Sequence, residues 1–171
     1  MPTHLDGIRS ISLAPYPPVF IASGQFEMTD GNVGEINSTD IYGISMTDGE
    51  LAVLSYRPFS TFGFDVNRAV NVQVVWCPIN GTTSQGVTWT VTYDNDTFES
   101  GVLTAPATAL DTTIVEDAED NTSYTMQKTA KGIIDAGSLT VDAPIAFKVV
   151  ATTIDSGNDP GCWFMGLLLS Q

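Results

Sequence analysis

Alternation of apolar and polar residues is the strongest signal along the chain. In Val70-Asn-Val-Gln-Val-Val-Trp76, positions 70, 72, 74 and 76 are apolar, while Asn71 and Gln73 turn the other way. In Val87-Thr-Trp-Thr-Val-Thr-Tyr93, Val87, Trp89, Val91 and Tyr93 share one face and three threonines share the other. A period of two over this length predicts half-buried β-strands. Asn80-Gly81 and Gln85-Gly86 lie between the two runs, and this turn chemistry predicts that they pair as an antiparallel hairpin.

Other strands are expected at 51–56, just after the Asp48-Gly49 turn pair, and at 59–64 after Pro58. Residues 123–129 carry Tyr124 and Met126 on one face, and 145–154 alternate Ile145, Phe147, Val149 and Ala151 against a mixed face that includes Lys148. Residues 162–169 are apolar on both faces, as in a strand central to a sandwich or pressed against a neighbouring subunit. Shorter candidates fall near 25–28, 40–44 and 138–141. The stretch 104–121, with Asp111, Glu116, Asp117, Glu119 and Asp120, is the least strand-like and is expected to be a long crossing or surface loop. With no amphipathic helix and no fixed repeat, the pattern predicts an all-β, antiparallel sandwich or jelly roll.

One segment breaks the pattern. Ser12-Leu-Ala-Pro-Tyr-Pro-Pro-Val-Phe-Ile-Ala-Ser-Gly24 holds three prolines and no charge. Prolines preset an extended backbone, so such a segment loses less entropy on docking. Residues 1–24 therefore read as an extended arm, with 25–171 as a single sandwich domain. Tyr16, Pro17, Pro18, Val19, Phe20 and Ile21 are its candidate partner-binding residues. The other expectation is that the segment packs on its own domain as a first edge strand. The amino end, interrupted by Pro2, His4, Asp6 and Arg9, does not have the pattern of a secretory signal.

At 171 residues and 43% hydrophobic, the chain has the size and composition of one packed domain. No apolar run approaches the ~20 residues of a membrane helix. The formal net charge of −14 disfavours binding to naked nucleic acid. This charge is uneven: Asp6 and Arg9 cancel within 1–24, so the whole imbalance lies in the body.

The chemical inventory is sparse. His4 is the only histidine and sits in the arm, away from any cleft that the body could build. Asp94-Asn-Asp-Thr-Phe-Glu-Ser100 begins like a calcium loop. It then has Phe98 at the fifth position, Glu99 where glycine is needed, and Ala105 at the twelfth, leaving at most a weak cation site at Asp94 and Asp96. Cys77 and Cys162 each adjoin a tryptophan and form no Cys-x-x-Cys pair; they are expected to be buried thiols, or a disulfide if the protein matures in an oxidising setting. Trp76, Trp89 and Trp163 all fall in strands and are expected in the core rather than on a sugar-stacking surface. The Asn37, Asn80, Asn95 and Asn121 glycosylation patterns are read as turn chemistry. No cofactor is expected, and no catalytic activity.

The order of the hairpin Val-Asn-Val-Gln-Val-Val-Trp and Gly-Val-Thr-Trp-Thr-Val-Thr-Tyr, an acidic crossing, the stretch from Ser123 through Gly-Ser-Leu-Thr-Val to Ile145-Ala-Phe-Lys-Val, and a final apolar strand resembles the jelly-roll structural proteins of tailed bacteriophages. In size and architecture it is most similar to trimeric capsid decoration, or cement, proteins. The resemblance spans residues 66–170 and rests on strand patterns, so no functional residue transfers individually. It implies a homotrimer on the virion's capsid exterior, made in the host cytoplasm, that binds the major capsid protein and stabilises the assembled shell by mass action, with no direct nucleic acid or membrane contact. The alternative is a receptor- or glycan-binding head domain of a phage tail fibre or tailspike, for which exposed aromatics near Trp89, Asp94 and Asp96 are the expected mark.

Overall fold

The computed structural model describes residues 16–28, 32–36, 40–46, 51–54, 57–58, 63–78, 86–95, 106–110, 114–117, 125–140, 143–154 and 162–171. At 32, 51–54, 57–58, 86, 114–117 and 152–154 only the backbone enters the description. The arm residues 1–15, including His4, and the positions Asn37, Asp96 and Asn121 lie outside the described residues.

The strands are β1 (Val19–Ala22), β2 (Phe26–Met28), β3 (Asn32–Glu35), β4 (Tyr42–Met46), β5 (Leu51–Leu54), β6 (Arg57–Pro58), β7 (Val70–Pro78), β8 (Gly86–Asp94), β9 (Thr108–Ala109), β10 (Ile114–Asp117), β11 (Gln127–Lys128), β12 (Gly132–Ile134), β13 (Pro144–Ile154) and β14 (Cys162–Ser170). They build two antiparallel sheets. In the first, the order is β11-β7-β14-β4-β3, with β12 also on β7 and β1 also on β14. In the second, it is β10-β8-β13-β5-β2, with β9 also on β8 and β6 also on β13. Each sheet thus has two long central strands flanked by short strands set end to end, in the antiparallel sandwich architecture expected from the alternation.

The expected β7–β8 hairpin does not form. β7 pairs with β14, and β8 with β13, in opposite sheets. The chain between them crosses from one layer to the other, and the two apolar rows meet face to face. Trp76 and Trp89 are both fully buried, with ring centroids 6.1 Å apart. Alternation marks a strand and its buried face but does not name its hydrogen-bonded neighbour.

Four other expectations change. Within the stretch 104–121, Thr108–Ala109 and Ile114–Asp117 are strands on β8. Residues 138–141 do not form a strand where described; Leu139 is buried in a turn region, and the strand nearby is β12. Of 123–129 only Gln127–Lys128 is strand, Tyr124 lies outside the described residues, and Met126 is 69% exposed. Of 59–64 only Gly63 and Phe64 are described, and both lie outside any strand.

β14 explains its own unusual sequence. Cys162 and Phe164 face the core, and so do Leu167 and Leu169. The register against β7 shifts between Phe164 and Gly166, inserting Met165 as a bulge. One extra residue reverses the alternation, so a row of apolar residues keeps its buried members inward. The strand is also enclosed on both edges, by β7 along its length and by β4 and then β1 on the other side. Phe164 completes the core, at 4.9 Å edge-on to Phe26 and 6.1 Å from Trp89.

Gly166, which follows the bulge, has φ +150°, and a Cβ there would lie 2.2 Å from the Ile21 carbonyl oxygen and 2.9 Å from Phe20 Cζ. The Phe20 ring therefore covers the glycine from the adjacent strand. Only a residue without a side chain lets β1 approach β14 this closely.

Candidate functional site

The predicted partner-binding residues separate by strand alternation. β1 pairs with β14 from Val19 opposite Leu169 to Ala22 opposite Gly166, so this part of the segment is a strand of the sandwich. Ile21 is 2% exposed and in the core, with half-buried Tyr16 and Val19 packed against it. Phe20, Pro17 and Pro18 face outward. Three of the six candidates thus fasten the segment to its own domain.

The other sequence candidates converge on no shared site. Trp89 is fully buried between the sheets, so it offers no surface beside Asp94. Among the described residues, no group of three or more His, Cys, Asp or Glu is placed to hold a metal ion. Neither Cys77 nor Cys162 is in a disulfide. In the β7–β14 register, Cys77 stands opposite Trp163 and Cys162 opposite Pro78. Each cysteine is thus one residue along from the other's partner, so one side chain enters the core and the other leaves by the outer face. Burial pushes the Cys77 thiol up to about 11 from its ordinary 9.0.

Trp163 also turns to the outer face, half-buried, unlike the other two tryptophans. It sits against a strand pair in which Gly34 is opposite Gly43. A Cβ on Gly34 would lie 2.9 Å from Trp163 Cη2, and one on Gly43 would lie 3.1 Å from Ile36 Cδ1 and 3.2 Å from Met165 Sδ. The two glycines make room for the side chains that close this face.

Among the described residues, the most open aromatic lies on the same β3–β4 hairpin, at the edge of the first sheet. Its closure is well specified. The Ile36 N–H donates to the Ile41 carbonyl at 2.7 Å, and the Asp40 N–H donates to Glu35 Oε1 at 2.9 Å. Asp40 has φ 58°, a left-handed conformation that aspartate tolerates better than most residues. Val33 pairs with Ile44, and Glu35 with Tyr42. These four share the face that begins in the core at Ile44, which is 1% exposed, and runs outward to Val33 at 57% and Tyr42 at 59%. Directly opposed side chains in such a pair have Cβ atoms about 5 Å apart. An accessible phenol ring thus stands beside a carboxylate held in place by a backbone N–H, with Val33 diagonal to it. Ile41, 52% exposed, flanks the ring on the opposite face.

This ledge combines an apolar ring face with fixed hydrogen-bond acceptors. It provides no nucleophile, general base pair or metal cage; its chemistry is that of contact. The sequence reading missed it because 40–44 was legible only as a short strand. The available signal was Ile41-Tyr42, two large apolar residues placed just after a turn, where the alternation leaves no core to receive them.

No protein-family model matches the chain, and no curated protein matches it significantly. Solved structures do. The CBM36-1 domain, a carbohydrate-binding module of a multidomain xylanase from the hindgut metagenome of Trinervitermes trinervoides, is similar over 91% of this chain and 97% of its own, at 10% identity and a TM-score of 0.52. The CBM22-1–GH10 modules of a Clostridium thermocellum endo-1,4-β-D-xylanase, complexed with xylohexaose, match over 90% of this chain and 26% of theirs, at 11% identity and a TM-score of 0.44. The xylan-binding module CBM15 matches over 91% and 96%, at 13% identity and a TM-score of 0.43. None of the three is a viral structural protein. At such identities the likeness is one of fold, and the first of them establishes it: the chain is a β-sandwich of the kind used by carbohydrate-binding modules.

Proposed function

We propose that this protein is a non-catalytic, glycan-binding β-sandwich module, and that it binds through the ledge of Tyr42, Glu35 and Val33 on the β3–β4 hairpin. The observation that carries this reading is the Tyr42 ring, 59% exposed and directly opposite a carboxylate fixed by the Asp40 N–H. Sugars present apolar C–H faces and hydroxyl edges. A tyrosine ring supplies large, rigid contact area to the first, and a carboxylate accepts hydrogen bonds from the second. The shared fold with a carbohydrate-binding module supports the same reading. The reading as a capsid decoration protein rests on the sequence resemblance alone.

The test is a glycan array followed by affinity electrophoresis on a panel of polysaccharides, comparing the protein with Tyr42→Ala. Losing a stacking aromatic costs about 1–3 kcal/mol in comparable ring-stacking sites, or roughly 5- to 150-fold in affinity. Because Tyr42 is exposed, its melting temperature is expected to stay within about 2 °C. A variant that binds as well as the parent would refute the site, and a blank panel or measurable turnover of any sugar would refute the function.

A further inference from the structure

We infer that the ledge selects uncharged glycans and rejects acidic ones, meaning uronate-, sialate- or sulfate-bearing chains; this inference rests on the glycan-binding reading above. From position 10 to position 56 the chain has no lysine or arginine, while Glu27, Asp30, Glu35, Asp40, Asp48 and Glu50 all fall in that interval. The entire β3–β4 hairpin lies inside it. At the ledge, the Glu35 carboxylate stands opposite Tyr42, and Asp40 occupies the turn that joins the two strands.

Among the described residues, the sheet order keeps cations away; Arg9 lies outside them. Lys128 is in β11 and Lys131 precedes β12; both strands flank β7 at the far edge of the first sheet. That edge is four strand positions from β3, about 19 Å at the usual spacing, more than twice the ~8 Å screening length at physiological salt. Arg57 and Lys148 belong to β6 and β13 of the other sheet, and Arg68 to the turn before β7. None is a sheet neighbour of β3 or β4.

A uronate carboxylate seated over Tyr42 would therefore meet like charge with no guanidinium or ammonium of β3 or β4, or of a strand paired with them, to answer it. Two like charges at about 5 Å in water lower affinity about fourfold. A neutral pyranose offers only hydroxyl donors to Glu35. The same arrangement suits an amino sugar, whose ammonium would find an anionic partner.

The experiment uses matched polymers: a neutral polysaccharide bound by the protein, and its carboxymethylated and sulfated derivatives. The neutral polymer is expected to retard the protein in affinity gels, and the acidic derivatives to bind about fourfold more weakly at 20 mM salt, with the gap narrowing at 500 mM as the charges are screened. Glu35→Gln keeps an acceptor while removing the charge and is expected to narrow the gap at low salt. Asp40→Asn does the same and retains a residue suited to the positive φ. Equal or tighter binding of the acidic derivatives at low salt would overturn this inference while leaving the glycan-binding reading intact. Absence of binding to neutral and acidic polymers alike would overturn both.

Discussion

Replacing Gly166 with alanine attacks the sandwich at its tightest approach. A Cβ at this position would stand 2.2 Å from the Ile21 carbonyl oxygen, about 1 Å inside an ordinary carbon–oxygen contact, and the obstructing atom is backbone. The strand cannot relieve this by turning a side chain; β1 must move away from β14. Two costs add. A side chain at φ +150° is strained by about 1–3 kcal/mol, and overpacking at a buried site costs about 1–3 kcal/mol more. The sum, about 4 kcal/mol, corresponds to a fall of roughly 8–16 °C in Tm for a domain of this size. Urea unfolding with an unchanged m-value is the assay, since a lower midpoint at constant m isolates stability from compactness. Gly24→Ala serves as the control: it has no atom within 4 Å of the added carbon and is expected to change stability by less than about 0.5 kcal/mol. A Gly166→Ala protein within about 1 kcal/mol of the parent would refute the register of β1 on β14.

Two further predictions concern polar and titrating groups. Asn95 donates through Nδ2 to the Ala143 and Pro144 carbonyls and accepts the Thr140 N–H, so Asn95→Ala is expected to cost about 2–3 kcal/mol by urea unfolding; the same bonds occupy the amide, and mass spectrometry after expression in a glycosylating host is expected to find it unmodified. The Cys77 thiol, ordinarily at 9.0 and pushed up to about 11 when folded, keeps its proton in the native state over a range where the unfolded chain loses it, so the stability difference between the parent and Cys77→Ala should shrink by at most about 2 kcal/mol as pH rises from 9 to 11, with a pH-independent difference counting against burial as the cause.

Legibility followed the length of each pattern. β7, β8 and β13 could be read directly because their apolar residues recur every second position, against threonine, asparagine or glutamine in β7 and β8 and against a mixed face with Lys148 in β13. Their pairing could not, since a row of apolar side chains matches any opposing row; the two tryptophans expected in one hairpin instead meet across the two layers. β14 was visible as a strand covered on both sides, while the bulge at Met165 that produces its pattern became apparent only from the register. The two-residue strands β6, β9 and β11 carry no periodicity at all and exist because a long neighbour offers hydrogen bonds. Functional residues were harder still. Tyr42 announces itself by being uncovered, a property of the sheet edge rather than of its neighbours in sequence, and Ile21 and Phe20, adjacent in the proline-containing segment, belong to opposite faces.

The seal between β1 and β14 has a temporal side. Val19 waits for Leu169, so the first sheet cannot close until the 150 residues that separate the two strands have been made and Leu169 has left the ribosome. Until then β7, rich in valine, has no central partner, and contacts this distant in sequence form slowly. Nascent copies are therefore most prone to mispair with one another during translation, when the acidic composition that keeps finished molecules apart is the main safeguard.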